Sequence, residues 1–294
     1  MNQVITIGLF DGVHKGHQAL LRAAKEKAAA LGLRAAALTF EGLDRYKDVY
    51  LLNTAADRDA LIRELSGISE VISLPFTREL QRMTAEDFFF DILMSRLGAE
   101  HIVIGENFTF GSDRAGADAL VDLCDASHIG ISVLSLEKEE QAVISSSRIR
   151  EALIRGDLFA AEDMLGHPHR LSGKVIHGRQ VGREIGCPTL NLAYPPELAP
   201  LPHGVYVTTV RLSDGRTFHG ISDLGVHPTF GASEEVWLET HILDETVNLY
   251  DEEVTCFFHS FLRPEMTFPS PDALVKQIQT DISLARRYFL EEGR

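Results

Sequence analysis

Near the amino terminus stands Phe10-Asp11-Gly12-Val13-His14-Lys15-Gly16-His17, the stretch around which the first half of the chain is organised. An apolar run over residues 4–9 precedes it and is typical of a buried strand. The segment that follows carries apolar residues at helical spacing: Leu21, Ala24, Ala28 and Leu31. A strand, a glycine-containing turn and a helix in this order bring backbone N–H groups and the positive end of a helix dipole to one spot. We therefore expect an anion-binding turn here.

The two histidines of this stretch make the prediction more specific. His14 is expected in the turn and His17 in the first helical turn, with Gly16 between them allowing a ligand to approach closely. Two imidazoles at this place suit a polyphosphate whose charge must be stabilised while a P–O bond breaks. Surface histidines are the alternative, but the H-x-G-H spacing directly after a strand end favours a nucleotide site. The expected site residues are Phe10, Asp11, Gly12, His14, Gly16 and His17.

Composition limits the functions open to this chain of 294 residues. Hydrophobic residues make up 45% and charged residues 24%, which is the balance of a globular protein with an ample core. The net charge of −15 disfavours a broad electrostatic grip on nucleic acid or on an anionic membrane. Three dispersed cysteines without metal-ligand spacing, and no apolar run of transmembrane length, predict a cytoplasmic protein.

Strand-like and helix-like segments alternate through the first half of the chain. This alternation predicts an α/β, Rossmann-like domain, with a parallel sheet wound by helices. Ligands of such sheets bind beyond the carboxyl ends of the strands. Asn107 and the run over residues 145–150 both follow predicted strands, so they can converge with His14 on one crevice. The chain has neither G-x-G-x-x-G nor a Walker A lysine motif, which excludes the ordinary dinucleotide and P-loop sites.

The second half has a different pattern. The linker Gly166-His167-Pro168-His169 marks a boundary, and we predict one domain over residues 1–165 and another over residues 170–294. Short strand-like runs separated by turn residues predict a small antiparallel β-barrel in the second domain. A final helix is expected after Ser270 and Pro271, with one apolar face against the barrel.

A second phosphate site is expected between Gly178 and Asn191. Glycines there let backbone amides approach a phosphate, and arginines can neutralise it, although a purely structural turn is the alternative. Thr189 and Asn191 point the same way on an extended strand and can ligate Mg²⁺ through oxygen. Glu239, in a later strand, could be a general base for a substrate hydroxyl or simply an exposed acid. The binding residues expected here are Gly178, Gly182, Arg183, Thr189 and Asn191.

Taken together, the two motif sets resemble the bacterial bifunctional riboflavin kinase/FMN adenylyltransferase family, also called FAD synthetases. The first half is similar to the nucleotidyltransferase module of that family, through residues 10–17, 105–111 and 146–150. The second half is similar to its kinase module, through residues 178–191, 204–206, 228–230 and 239–244. The resemblance extends over essentially the whole chain.

The resemblance implies two successive reactions of ATP. The kinase module would transfer the γ-phosphate to the 5′-hydroxyl of riboflavin, with Thr189 and Asn191 holding Mg²⁺ and Glu239 deprotonating the hydroxyl. The other module would let the FMN phosphate attack the α-phosphate of a second ATP, releasing pyrophosphate and FAD. His14 and His17 would stabilise the developing charge there. The residues expected to position the flavin or nucleotide and to hold the leaving phosphates are Asn107, Ser146, Ser147 and Arg150.

One segment departs from the family pattern. After Phe40 the family usually carries Pro-His-Pro, which helps to shape the adenylyl-transfer site, whereas this chain has Glu41-Gly42-Leu43-Asp44. We therefore expect FAD synthesis to be slower than FMN synthesis. One alternative is a riboflavin kinase whose first module has weak or lost adenylylation. Another is a flavin-nucleotide sensor, which the Thr189, Asn191 and Glu239 set disfavours because binding alone needs no base.

Overall fold

The computed structural model describes residues 2–42, 49–135, 144–176, 187–228, 234–245, 247 and 249–293. The chain forms two compact units: unit 1 comprises Met1–Val49 and Ala55–Ser146, and unit 2 comprises Tyr50–Thr54 and Ser147–Arg294. The division into two domains over residues 1–165 and 170–294 stays a prediction. Within the described ranges, no helix combines the length and apolar character needed to cross a membrane.

Strands and helices alternate in unit 1, as the sequence predicted. Its strands are β1 (Gln3–Ile7), β2 (Arg34–Glu41), β3 (Glu70–Pro75), β4 (Ala99–Gly105), β5 (Thr109–Phe110), β6 (Ala115–Gly116) and β7 (Gly130–Leu134). Its helices are α1 (Lys15–Leu31), α2 (Ala55–Ser66), α3 (Arg78–Arg82), α4 (Ala85–Asp87) and α5 (Ala117–Ser127). Helix α4 continues as a π-helix over Phe88–Arg96.

Five of these strands form a parallel sheet in the order β3-β2-β1-β4-β7, which confirms the predicted α/β fold. Ile5 of β1 lies at its centre, opposite Ala36 of β2 and Ile102 of β4. The strand order reverses beside β1, because the chain runs outward to β3 and then crosses to β4 on the other side. The carboxyl ends of β1 and β4 therefore flank the switch point at which open α/β sheets bind ligands.

Burial explains why helix α1 lies where it does. Leu21, Ala24 and Ala28 are fully buried and pack in one cluster with residues of the sheet and of α2. Leu31, the last apolar residue of the predicted stripe, is instead 50% exposed. The helix ends at Gly32, whose φ of +67° is the left-handed conformation that glycine adopts without strain.

The described residues of unit 2 form two short helices, six strands and a long final helix. The helices are α6 (Ser146–Ile154), α7 (Leu158–Leu165) and α8 (Pro271–Glu292). The strands are β8 (His169–Lys174), β9 (Thr189–Ala193), β10 (Gly204–Leu212), β11 (Thr217–Pro228), β12 (Glu234–Ile242) and β13 (Glu253–Pro264). They form an antiparallel sheet in the order β8-β13-β10-β11-β12-β9.

The sheet of unit 2 curls so that its two edges meet. Just past β8, the Ile176 N–H donates to the carbonyl of Asn191 in β9 at 3.1 Å, forming an antiparallel bridge. This contact closes the small barrel that the sequence predicted. Helix α8 packs on the barrel through Ala285 and Phe289, and its first turn is capped by the Ser270 hydroxyl, which accepts from the Ala273 N–H at 3.3 Å.

Unit 2 also includes a segment from the first half of the chain, Tyr50–Thr54. The Leu51 N–H donates to the Glu197 carbonyl at 2.8 Å, and the Ala199 N–H donates to the Leu51 carbonyl at 2.8 Å. The chain therefore passes from unit 1 into unit 2 and back before it enters α2. Nothing in the local sequence pattern indicated this excursion, because it depends on backbone pairing with residues about 150 positions away.

Candidate active sites

The turn after β1 is tight and strained. Phe10 and Val13 adopt φ angles of +50° and +41°, and Gly12 between them adopts +80°. A positive φ at a β-branched residue such as Val13 costs about 1–3 kcal/mol, and such strain is found mostly at ligand sites. Phe10, Gly12 and Val13 are all buried. The surrounding packing therefore holds the turn in a shape that the isolated segment would not adopt.

This shape brings the two predicted histidines together. The Nδ1 atom of His14, the N-cap of α1, accepts from the His17 N–H at 3.3 Å. The two imidazole rings stack with their centroids 3.6 Å apart. The centroids of the His17 and Phe10 rings lie 5.4 Å apart, in an edge-to-face arrangement. Because Nδ1 of His14 accepts, a neutral His14 carries its proton on Nε2. Nδ1 of His17 is buried and has no hydrogen-bond partner among the described residues.

Burial keeps both imidazoles neutral. It lowers the pKa of His14 from 6.5 to about 4. It also lowers the pKa of His17 well below its ordinary value, and the neighbouring His14 adds to that effect. The pair therefore offers neutral N–H donors at the start of a helix, where backbone amides and the dipole favour an anion. Gly16 lies in the first turn of α1, where a residue without a side chain lets a ligand approach the backbone.

The other residues predicted for this site lie on several different segments of the chain. The Ser146 hydroxyl donates to the carbonyl of Asp11 at 3.0 Å, so the structure brings this serine to the turn. Asn107 is exposed in the turn after β4, the strand that pairs with β1. Ser147 is exposed and belongs to unit 2. Arg150, also in unit 2, donates through Nε to the Tyr50 carbonyl at 2.6 Å, a contact that the sequence did not predict.

The segment that replaces the family's Pro-His-Pro is described only in part. Glu41 ends β2, and its carbonyl accepts from the Phe76 N–H at 2.8 Å. Gly42 follows with φ of +77°. The remainder of the predicted wall, residues 43–44, lies outside the described residues.

The strand pair β9–β12 builds the second site. Asn191 lies directly opposite Glu239, and Thr189 lies opposite His241. The Thr189 hydroxyl donates to Oε2 of Glu239 over 3.5 Å, a long hydrogen bond that links the two side chains. Hydroxyl, amide and carboxylate oxygens are the ligands that Mg²⁺ prefers, so this donor set fits that ion. The sequence predicted Thr189 and Asn191 on one face of a strand and Glu239 on a later strand, and the register of β9 with β12 brings Glu239 beside them.

Several residues predicted for this second site lie outside the described residues: Gly178, Gly182 and Arg183. The described part does include a cavity of about 430 Å³ beside Thr189. Most of its lining is apolar, with two hydroxyls, one carboxylate and one phenol: Val175, Pro188, Thr189, Leu190, Thr240, Ile242, Glu245, Val247, Leu249 and Tyr250. A cavity of this volume that is lined mostly by apolar residues, with a few polar groups, is typical of small-molecule binding pockets. The sequence analysis did not identify the lining residues that follow β12, which are Glu245, Val247, Leu249 and Tyr250.

The chain matches two family models. One, described as FAD synthetase, matches residues 1–148, and the other, described as riboflavin kinase, matches residues 165–289. A bifunctional riboflavin kinase/FMN adenylyltransferase of Pseudomonas fluorescens is 36% identical, over 96% of this chain and 92% of the relative. The protein of the same description from Haemophilus influenzae is also 36% identical, over 97% of this chain and 94% of the relative.

A solved structure from Streptococcus pneumoniae shares the fold over nearly the whole length. It is described as a macrolide-efflux protein, is 30% identical, covers 97% of this chain and 94% of its own, and superposes with a TM-score of 0.84. That description concerns the pneumococcal protein, whereas both family models that match the present chain are flavin enzymes. With both modules matched in order and relatives aligned end to end, the chain belongs to the bifunctional riboflavin kinase/FMN adenylyltransferase family.

Proposed function

We propose that each of the family's two activities is carried by one unit: FMN adenylyl transfer by unit 1, and riboflavin phosphorylation by unit 2. The observation that carries the proposal is that each unit has its own set of convergent groups. In unit 1 these are the stacked imidazoles at the start of α1. In unit 2 they are Thr189, Asn191 and Glu239 on the β9–β12 pair.

In unit 2, Glu239 would accept the proton of the riboflavin 5′-hydroxyl while that oxygen forms its bond to the γ-phosphorus of ATP. The bond from the γ-phosphorus to the β,γ-bridging oxygen breaks, and ADP leaves. Thr189 supports this role because its hydroxyl already lies next to the carboxylate and donates to it over 3.5 Å. The cavity beside Thr189 would take a part of one substrate. The proton on Glu239 would return to solvent after FMN leaves.

In unit 1, a phosphate oxygen of FMN would attack the α-phosphorus of ATP, and pyrophosphate would leave. Negative charge builds on the leaving oxygen, so donors fixed beside it lower the barrier. Neutral imidazole N–H groups of His14 and His17 would donate there, supported by the first-turn amides of α1. The Ser146 hydroxyl is within reach of the same turn, and Asn107 would contact flavin or nucleotide from the end of β4.

Magnesium is part of the proposal. When bound, Mg²⁺ would neutralise negative charge on the phosphate groups of ATP. In unit 2, the side-chain oxygens of Thr189 and Asn191 would hold it. Asn191 is well placed for this because it is 5% exposed and its backbone is fixed by the Ile176 bridge. The bridge and the burial fix the main chain from which the amide side chain projects.

We also propose that the protein works in the cytoplasm on riboflavin, FMN and ATP. Cys124, Cys187 and Cys256 are free thiols, and two of them are buried, which fits a reducing compartment. The net charge of −15 gives no broad attraction for nucleic acid or anionic membranes, so we expect neither as a partner. ATP, itself an anion, would be bound by the local donors described above.

The test is an assay that separates the two products. Purified protein is incubated with riboflavin, ATP and Mg²⁺, and FMN and FAD are quantified by chromatography. We expect both products, with FAD forming more slowly, and neither after chelation of Mg²⁺.

Glu239→Gln keeps size and hydrogen bonding but removes the base, so FMN formation should fall about 10²–10⁴-fold. The same variant supplied with FMN should still make FAD at the wild-type rate. A folded Glu239→Gln protein that phosphorylates riboflavin normally would refute the role of this carboxylate.

A further inference from the structure

Arg58 of helix α2 is buried at the place where strand β2 ends. Only 8% of its surface is exposed. Its Nη1 donates to the Phe40 carbonyl at 2.9 Å, and its Nη2 donates to the Ser73 hydroxyl at 3.2 Å. Its Nε and Nη2 also donate to Oδ1 of Asp59, at 3.1 and 3.0 Å. Arg58 therefore ties α2 to the carboxyl-terminal parts of both β2 and β3.

The Phe40 carbonyl needs this donor because β1 has already left the sheet. Just past the end of β1, the Gly8 N–H donates to the Leu38 carbonyl at 3.1 Å. Carbonyls two residues apart on a strand point the same way, so that of Phe40 also faces the β1 side. There the chain instead enters the turn at Phe10, with its φ of +50°. Arg58 supplies the hydrogen bond that β1 no longer provides.

The same helix reaches the proposed adenylyl-transfer site. Helix α2 packs against the turn Asp11–Val13, which leads into His14. Asp59 pairs with the guanidinium and also accepts from the Ser73 hydroxyl at 3.4 Å, so the network carries its own counter-charge. A guanidinium that is paired in this way fixes geometry rather than attracting phosphate.

We infer that Arg58 is a positioning residue for adenylyl transfer. It fixes the main chain at the end of β2, where this chain lacks the family's Pro-His-Pro, and through α2 it supports the turn that carries the imidazoles. The inference rests on the proposal that FAD is made in unit 1. Displacing reacting groups by about 1 Å costs on the order of 10²-fold in rate, so loss of this support should appear in catalysis.

The experiment replaces Arg58 with Met and with Lys, and it uses Arg63→Met as the matched control. Arg63 lies on the same helix, but its Nε donates to the Ser69 carbonyl at 3.3 Å, near the amino end of β3. In Arg58→Met, kcat for FAD formation from FMN and ATP should fall roughly 10- to 100-fold. The KM for ATP should change far less, because substrate-binding groups remain. Arg58→Lys should be intermediate, since an ammonium cannot serve all three acceptors, and Arg63→Met should match wild type.

Riboflavin phosphorylation, measured on the same preparations, should be unchanged in every variant. The inference is overturned if Arg58→Met makes FAD at the wild-type rate, if it slows both activities together, or if Arg63→Met slows FAD formation equally. If Arg58→Met does not fold, Arg58→Lys decides: slower FAD formation with intact kinase activity supports the inference, and wild-type FAD formation ends it. A wild-type protein that makes no FAD would contradict the proposed function of unit 1 instead.

Discussion

His14 links the chemistry of unit 1 to its stability. Its pKa is about 4 in the folded protein, against an ordinary value of 6.5, because the ring is buried. Between these two values the unfolded chain binds more protons than the folded one, so stability is lost as the pH falls from 6.5 towards 4. Since each pKa unit corresponds to 1.36 kcal/mol, the full difference is worth about 3 kcal/mol.

Replacing His14 with Asn should remove this pH dependence, because Asn can cap a helix but does not titrate. We expect hydrogen exchange of the β1 and β4 amides, corrected for intrinsic rates, to report a smaller stability loss from pH 7 to pH 4.5 in His14→Asn than in wild type. His17 is present in both proteins, and loss of the His14 contribution that lowers its pKa acts in the same direction, reducing the pH dependence further. Identical pH dependence in the two proteins would show that the ring is not held neutral by burial.

At the scale of elements, helix α8 is attached to the barrel by a buried ion pair. Nη2 and Nε of Arg263 donate to Oδ2 of Asp281 at 2.7 and 3.0 Å, and Gln277 donates to the other carboxylate oxygen at 2.8 Å. Only 3% of the Asp281 side chain is exposed. Removing one member of such a pair leaves a buried charge without its partner, which is strongly destabilising.

Asp281→Asn should therefore lower the free energy of unfolding of unit 2 by roughly 3–5 kcal/mol. Glu291→Gln is the control on the same helix, because it removes an exposed ion pair with Arg287 and should leave the free energy of unfolding nearly unchanged. Trp237, the single tryptophan of the chain, lies in β12 and reports unfolding of this unit by fluorescence. Equal unfolding curves for the two variants would contradict a stabilising role for the buried pair.

The elements that the sequence predicted well are those with local signals. The N-cap Ser270 lies where expected, because a cap depends on a few neighbouring residues. The π-helix over Phe88–Arg96 has no sequence pattern that distinguishes it from an ordinary helix. The Tyr50–Thr54 segment was missed, because its pairing partners belong to the second half of the chain.

At the scale of the whole molecule, the sequence predicted some features of each site and missed others. The alternation of side chains along a strand predicted that Thr189 and Asn191 share one face. The register between β9 and β12, which the sequence did not predict, places Glu239 directly opposite Asn191. The H-x-G-H stretch predicted the imidazole pair but not the stacking of the rings or their neutrality, which follow from burial. Arg58 carried no signal, because its importance arises only where β1 leaves the sheet.

The central claim is that one chain carries two separate sites, and mixing two variants tests it most directly. Glu239→Gln should make almost no FMN, and the His14→Ala, His17→Ala double variant should make FMN but no FAD. Combined in one tube with riboflavin, ATP and Mg²⁺, they should produce FAD, because FMN released by the second protein is a substrate for the first. FAD yield should rise with the concentration of either variant. A mixture of folded variants that accumulates FMN but no FAD, or that makes neither product, would contradict the account.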